Sequence, residues 1–314
     1  MCTAIRFTDA KGRHYFGRNL DWECGFGETV LTTPRNWTGT WAFEGAIDPG
    51  PAVMGIGIAA LDTPLYFDCM NEAGLTVGGL LFAGFAQYET GPVEGKTNVA
   101  SYEFPLWVAR NFTTVDQAEA ALGNVAIVGV DFAGMEPSLL HWMICDDNRS
   151  IVVEYTCEGM QIFDNTVDVL ANQPGFAWHL ENLRSYFNVS PQVPAACTWT
   201  NQPLEAYGTG AGMRGLPGDY YSTSRFVRAA YLNAHYPVKD DEASNAVRLF
   251  RTLGGVSMIE GASIMKTGNL ETTVYTSGYS SAHRSCYYST YEDPAIKTYR
   301  FDDFDLESAA LQTA

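Results

Sequence analysis

What this sequence lacks narrows its function first. No apolar run reaches the ~20 residues of a membrane-spanning helix, and the opening Met-Cys-Thr-Ala-Ile-Arg-Phe has no apolar core of the signal-peptide kind. Positive charge is scarce: 19 Lys and Arg stand against 36 Asp and Glu, a formal net charge of -17. Recognition of phosphates needs clustered Lys and Arg, so neither nucleic acid nor an anionic membrane surface is an expected partner. Five histidines (His14, His141, His179, His235, His283) show no H-E-x-x-H or similar spacing, and no metal site is expected. The cysteines make no framework. Seven of them (Cys2, Cys24, Cys69, Cys145, Cys157, Cys197, Cys286) are an odd number at irregular spacings without a C-x-x-C pair, which suggests a reduced, cytoplasmic protein. There is no P-loop and no G-x-G-x-x-G after a strand. Gly208-Thr209-Gly210-Ala211-Gly212 has a dinucleotide loop's glycines, but no strong strand precedes it.

What remains is an ordinary globular composition, 46% hydrophobic and 18% charged. Without repeats, low-complexity stretches or a Pro/Gly/Ser-rich linker, residues 1–314 read as one domain. Strand patterns dominate the first third. Segments 4–8 and 14–20 flank a turn at Lys11-Gly12 as a hairpin, and strands are expected at 53–60, 65–70 and 75–81. Thr114 and Gln117 form a capping box for a helix over 115–122, ended by Gly123. Strands are expected again at 141–145, 150–155, 160–163 and 167–170. Helices follow at 178–187, 224–235 and 241–253, then strands at 272–277, 286–290 and 296–300. Blocks of strands separated by blocks of helices predict layered α+β packing, not a parallel doubly wound sheet.

The residue that carries chemistry is Cys2. Removal of the initiator methionine, favoured when the next residue is small, leaves one residue with both a thiol and a free α-amine. That amine has a reference pKa of about 7.7–8.0, so it can take the thiol's proton and serve as its base. From position alone, an incidental second residue is the favoured reading. Arg18 and Asp21 lie on the returning strand of the hairpin, within reach of Cys2. A guanidinium there favours the thiolate, and a carboxylate holds the ammonium. Their spacing of three puts them on opposite faces of an ideal strand, so both can face Cys2 only if the strand bends, bulges or ends. A surface salt bridge is the plainer alternative.

Met-Cys-Thr followed by Gly17-Arg18-Asn19-Leu20-Asp21 resembles the start of choloylglycine hydrolases, the bile salt hydrolases and penicillin V acylases. Further blocks match in order: Phe67-Asp68-Cys69-Met70-Asn71-Glu72-Ala73-Gly74-Leu75, Glu103-Phe104-Pro105-Leu106-Trp107, Leu170-Ala171-Asn172-Gln173-Pro174, Gly215-Leu216-Pro217-Gly218-Asp219, Ser224-Arg225-Phe226-Val227-Arg228 and Thr276-Ser277-Gly278-Tyr279. Trp22, Asn233-Ala234-His235-Tyr236 and Tyr291-Glu292-Asp293-Pro294-Ala295-Ile296 tilt the likeness toward bile salt hydrolases of gut bacteria. The resemblance implies the four-layer αββα fold of N-terminal nucleophile hydrolases and a homotetramer. It implies hydrolysis of glycine- or taurine-conjugated bile salts without metal or cofactor. In that reading Cys2 is the nucleophile, Arg18 and Asp21 tune it, Asn172 donates to the oxyanion and Arg225 supports the site. Taken alone, Asn172 reads as a turn residue and Arg225 as a surface charge.

One departure stands out. Bile salt hydrolases usually carry Asn in a Gly-Leu-Asn-Phe-Pro-Gly stretch, and penicillin V acylases Tyr; here Gly79-Leu80-Leu81-Phe82-Ala83-Gly84 has Leu81, which leaves only its backbone N–H as a donor. The alternatives kept open are a penicillin V acylase, transfer of the acyl group to an amine, and an inactive binder of amphipathic acids. Specificity for a steroid body should come from apolar contact. The candidate linings are Leu20, Cys24, Phe26, Ala59, Leu61 and Phe132, on or beside loops 24–27, 59–62 and 130–135.

Overall fold

The computed structural model describes residues 1–314. Two large antiparallel sheets organise this mixed α/β chain. The first has six strands in the order Val169–Leu170, Cys2–Thr8, His14–Trp22, Thr272–Ser280, Ser285–Thr290 and Lys297–Arg300. The second has eight: Gly159–Asp164, Ser150–Thr156, Leu140–Cys145, Thr76–Leu81, Thr63–Asn71, Val53–Ala60, Thr29–Thr33 and Gln312–Thr313. The N-terminal hairpin forms as its pattern predicts, in a register that pairs Cys2 with Leu20 and Thr8 with His14.

The central strands are buried along nearly their whole length, which requires both faces of each sheet to be covered. Between the sheets lies a core that includes Phe16, Met54, Met70, Leu80, Met143 and Tyr279. The sheets approach closely: a Cβ on Gly78 would sit 2.6 Å from the Phe16 ring. On its other face the six-stranded sheet carries the helices Ser222–His235 and Glu242–Gly254. Gly17 and Gly278 admit the second of these, because a Cβ on either would come within 2.8 Å of Leu249. The eight-stranded sheet is covered by Phe104–Asn111, whose Phe104, Leu106 and Val108 join a second core with Leu31, Val77 and Trp142.

Helix signals in the sequence translate well. Thr114 accepts from the Gln117 amide, and Asp241 caps Glu242–Gly254 through the Ser244 amide. The helix expected at 178–187 runs instead over Phe176–Leu183, followed by a 3₁₀ turn at Arg184–Tyr186. Phe104–Asn111 and the parallel pair Thr97–Ala100 with Val125–Val128 were not signalled by periodicity. The glycines at 208–212 follow an exposed two-stranded hairpin, Cys197–Trp199 with Gln202–Leu204, and not a strand of either large sheet. No helix is long and apolar enough to cross a membrane.

Candidate active site

The first strand delivers Cys2 to an edge of the space between the sheets, where its side chain is buried. Cys2 and Arg18 share a face of the hairpin, and Arg18 Nη2 lies 3.3 Å from Cys2 Sγ. The same guanidinium donates to Asp68 Oδ2 at 2.9 Å, and its Nη1 lies 2.5 Å from the Tyr275 hydroxyl. Tyr275 and Tyr279 each donate to Asp68 at 2.6 Å. Asp68 therefore reaches from one sheet to the groups of the other. Burial disfavours the Arg18 charge, but Tyr275, Cys2 and Asp68 facing it more than offset this and hold the guanidinium above its usual pKa.

Asp21 occupies the opposite face, as strand alternation requires. The irregularity in this ladder lies on the partner strand, between Thr273 and Tyr275, so no bulge in the Asp21 strand brings it to Cys2. Asp21 pairs with Met1, its amide donating to the Met1 carbonyl at 2.7 Å and its carbonyl accepting from the Met1 amine. Asp21 Oδ1 accepts from Thr273 at 2.6 Å, while Oδ2 is buried without a partner, 3.9 Å from Arg225 Nη1. Burial raises the Asp21 carboxyl above its usual range against the pull of Arg225, and burial likewise lowers the Arg225 guanidinium. The Met1 ammonium is held by Glu271 Oε1 at 2.6 Å.

Asn172 and Arg225 close the site from below. Asn172 Oδ1 accepts from the Cys2 amide at 2.8 Å and from Arg225 Nη2 at 2.6 Å. Arg225 also donates to the Cys2 carbonyl and to Thr3 Oγ1, so it is fully buried under the hairpin and not a surface charge. Asn172 Nδ2 donates to the Leu81 carbonyl at 2.7 Å, leaving one N–H of its amide uncommitted in this set. Leu81 can be oriented from the ladder. The Phe82 amide donates to the Leu139 carbonyl at 2.7 Å, which makes Leu81 and Leu140 a non-hydrogen-bonded pair. The Leu81 N–H and C=O then both turn away from Leu140, toward the side where pairing with Thr63–Asn71 has ended at Gly78. That is the side on which Asn172 binds.

A cavity of about 360 Å³ opens over Cys2, within the usual range for small-molecule sites. Its lining is mostly apolar. Leu20, Phe26 and Phe132 contribute to it, as do Arg18, Asp21 and Leu81. Cys24, Ala59 and Leu61 lie outside the lining: Ile58 takes the place next to Ala59, and Leu61 sits on an exposed turn at φ 52°. Met135, in the expected loop 130–135, also lines the cavity, as do Trp22, Phe67 and Tyr102, which nothing in their spacing marked.

A model of the linear amide C–N hydrolases of the choloylglycine hydrolase family matches residues 2–314. This chain belongs to the choloylglycine hydrolase family. It is a C–N amide hydrolase. Among relatives of this choloylglycine hydrolase, a bile salt hydrolase/transferase of Bifidobacterium longum subsp. longum is 51% identical over 312 residues, covering 99% of this chain and 98% of that one. A conjugated bile acid hydrolase of Lactobacillus acidophilus is 43% identical with full coverage of both chains. The crystal structure of the C2A mutant of the conjugated bile acid hydrolase from Clostridium perfringens superposes with a TM-score of 0.94 at 34% identity, covering 100% of this chain and 96% of that one. Penicillin V acylase from Agrobacterium tumefaciens, at 19% identity and TM-score 0.78 over 99% of this chain and 90% of that one, shares the fold.

Proposed function

We propose that this choloylglycine hydrolase cleaves the amide of glycine- or taurine-conjugated bile salts through an acyl-enzyme on Cys2, after loss of Met1. The observation that carries this reading is the Cys2 thiol beside Arg18 at the base of a mostly apolar cavity, with Asn172 immediately behind it. Loss of Met1 turns the Cys2 amide, which donates to Asn172 Oδ1, into a free amine. The amine takes the thiol proton and the thiolate attacks the amide carbon. One Asn172 N–H and the Leu81 N–H receive the oxyanion. Collapse breaks the C–N bond, and the α-ammonium returns its proton to the departing glycine or taurine. Water, deprotonated by the same amine, then attacks the thioester, releases the bile acid and restores the thiol.

The arrangement of two facing sheets with helices on both outer surfaces supports the four-layer αββα sandwich of N-terminal nucleophile hydrolases, with residues 1–314 as one domain. A homotetramer is proposed on the exposed segment around Cys197–Trp199, where Phe187, Trp199 and Tyr207 are largely uncovered; sedimentation velocity reads the assembly. A cytoplasmic location is proposed from the unpaired, exposed Cys24, Cys157 and Cys197.

Release of glycine and taurine, measured beside release of phenoxyacetate from penicillin V, tests the substrate. Faster release from the bile salts is expected, and phenoxyacetate alone would overturn the assignment. Leu81→Asn should raise kcat on conjugated bile salts by about tenfold, since a side-chain donor is added where the oxyanion forms. Steady-state kinetics check this, and an unchanged kcat would place the side chain at position 81 outside the oxyanion site.

A further inference from the structure

Behind Asn172 lie two buried histidines that the proposed chemistry does not use. His179 Nε2 donates to the Asn172 carbonyl at 2.8 Å, and His141 Nε2 donates to the preceding carbonyl, of Ala171, also at 2.8 Å. His141 comes from the strand paired with Thr76–Leu81, and its ring stacks flat on Phe82, the neighbour of Leu81, at 4.2 Å and 5°. His141 Nδ1 lies 3.3 Å from Glu154 Oε1, an oxygen that also accepts the Phe176 amide at 2.8 Å. Phe176 opens the helix that carries His179. The His179 ring stacks on Phe226, the residue after Arg225, at 4.4 Å. Burial pushes the His179 pKa down to about 4, so the ring is neutral at working pH, and its one proton sits on Nε2. Nδ1 has no partner.

We infer that Glu154, His141 and His179 are positioning residues that set the separation of the two oxyanion donors, the Asn172 amide and the Leu81 N–H. The inference rests on the acyl-transfer reading above. Asn172 is tied at its own carbonyl and at the one before it. The Leu81–Phe82 segment is held against the same His141 that takes the second of these ties, so both donors share one buried support. A satisfied pair of core histidines needs none of this convergence. With Leu81 in place of a side-chain donor, the site depends on the placement of what is left.

The test compares His179→Leu, His179→Asn and His179→Gln for kcat and KM on a glycine-conjugated bile salt. In parallel, the rate of Cys2 alkylation by iodoacetamide is followed by peptide mass spectrometry. Alkylation displaces iodide at a saturated carbon and forms no oxyanion, so it reports the nucleophile alone. His179→Leu should lose about 10²-fold in kcat, the cost of a misplacement near 1 Å, with KM and alkylation unchanged. His179→Asn, whose shorter amide falls short of the Asn172 carbonyl, should lose as much while keeping a polar side chain if the leucine variant folds poorly. His179→Gln, whose amide nitrogen reaches the Nε2 position, should recover most of the rate. Wild-type kcat in the leucine and asparagine variants would overturn the inference. So would a parallel fall in alkylation, or a glutamine variant as slow as leucine. Hydrolysis retained by Cys2→Ala would instead overturn the acyl-transfer reading itself.

Discussion

Cys2→Ala is expected to lose on the order of 10⁴-fold or more of kcat on conjugated bile salts while folding like the parent chain. The size follows from the proposed division of labour. Nucleophile and base belong to one residue, so no neighbouring side chain can take over either role. The apolar cavity and the Asn172 amide are left in place, so KM should move little. The methyl group fills most of the buried site, so the thermal midpoint should stay near that of the parent. A chain carrying any extra residue ahead of Cys2 should be as slow as the alanine variant, because its thiol has no adjacent amine. Kinetics of the two proteins beside the parent check this; hydrolysis at the parental rate by either would remove Cys2 or its amine from the reaction.

Arg18→Leu should be costly in a different way, through stability as well as rate. Arg18 and Asp68 are an ion pair buried between the sheets, with side-chain exposures of 3% and 0%. Removing one partner leaves the other charge uncompensated, at a typical cost of about 3–5 kcal/mol. Tyr275 and Tyr279 still donate to Asp68, which places the loss nearer the lower figure. Chemical denaturation should show a lowered midpoint with an unchanged slope. Adding Asp68→Asn should restore much of the stability, since the orphan charge is gone. It should not restore the rate, since the Cys2 thiolate still lacks its cation. A double variant as unstable as the single one would assign the loss to packing instead of charge.

The fold was legible wherever local pattern and burial agree. The N-terminal hairpin, the cap at Thr114 and the helices expected at 224–235 and 241–253 follow from turn chemistry and 3.6-residue periodicity, the last two shifted by one or two residues at their starts. Thr29–Thr33 carried too little signal, being only five residues long, and its place is fixed by pairing with Val53–Ala60. Phe104–Asn111 is buried almost all round, which erases the amphipathic stripe that marks a surface helix.

The site was legible in part, and the division has a physical cause. Cys2, Arg18 and Asp21 are brought together by one hairpin, a contact that sequence spacing can foresee. Asp68 meets Arg18 from 50 positions away across the space between the two sheets, and Tyr275 from 257 positions away on the neighbouring strand of the same sheet; no local pattern encodes either. Arg225 looks like a helix surface charge because its helix is short of apolar residues at that turn. Its burial comes from the hairpin lying over it. His141 and His179 carried no signal either, since their partners are backbone carbonyls and, for His141, the Glu154 carboxylate on a neighbouring strand.

The most direct measurement is the intact mass of the purified protein, taken on the same sample that is assayed for release of glycine and taurine. A mass short of one methionine, with conjugates cleaved at a rate proportional to the processed fraction, is the predicted result. A chain that keeps Met1 and still cleaves conjugated bile salts would contradict the N-terminal nucleophile outright.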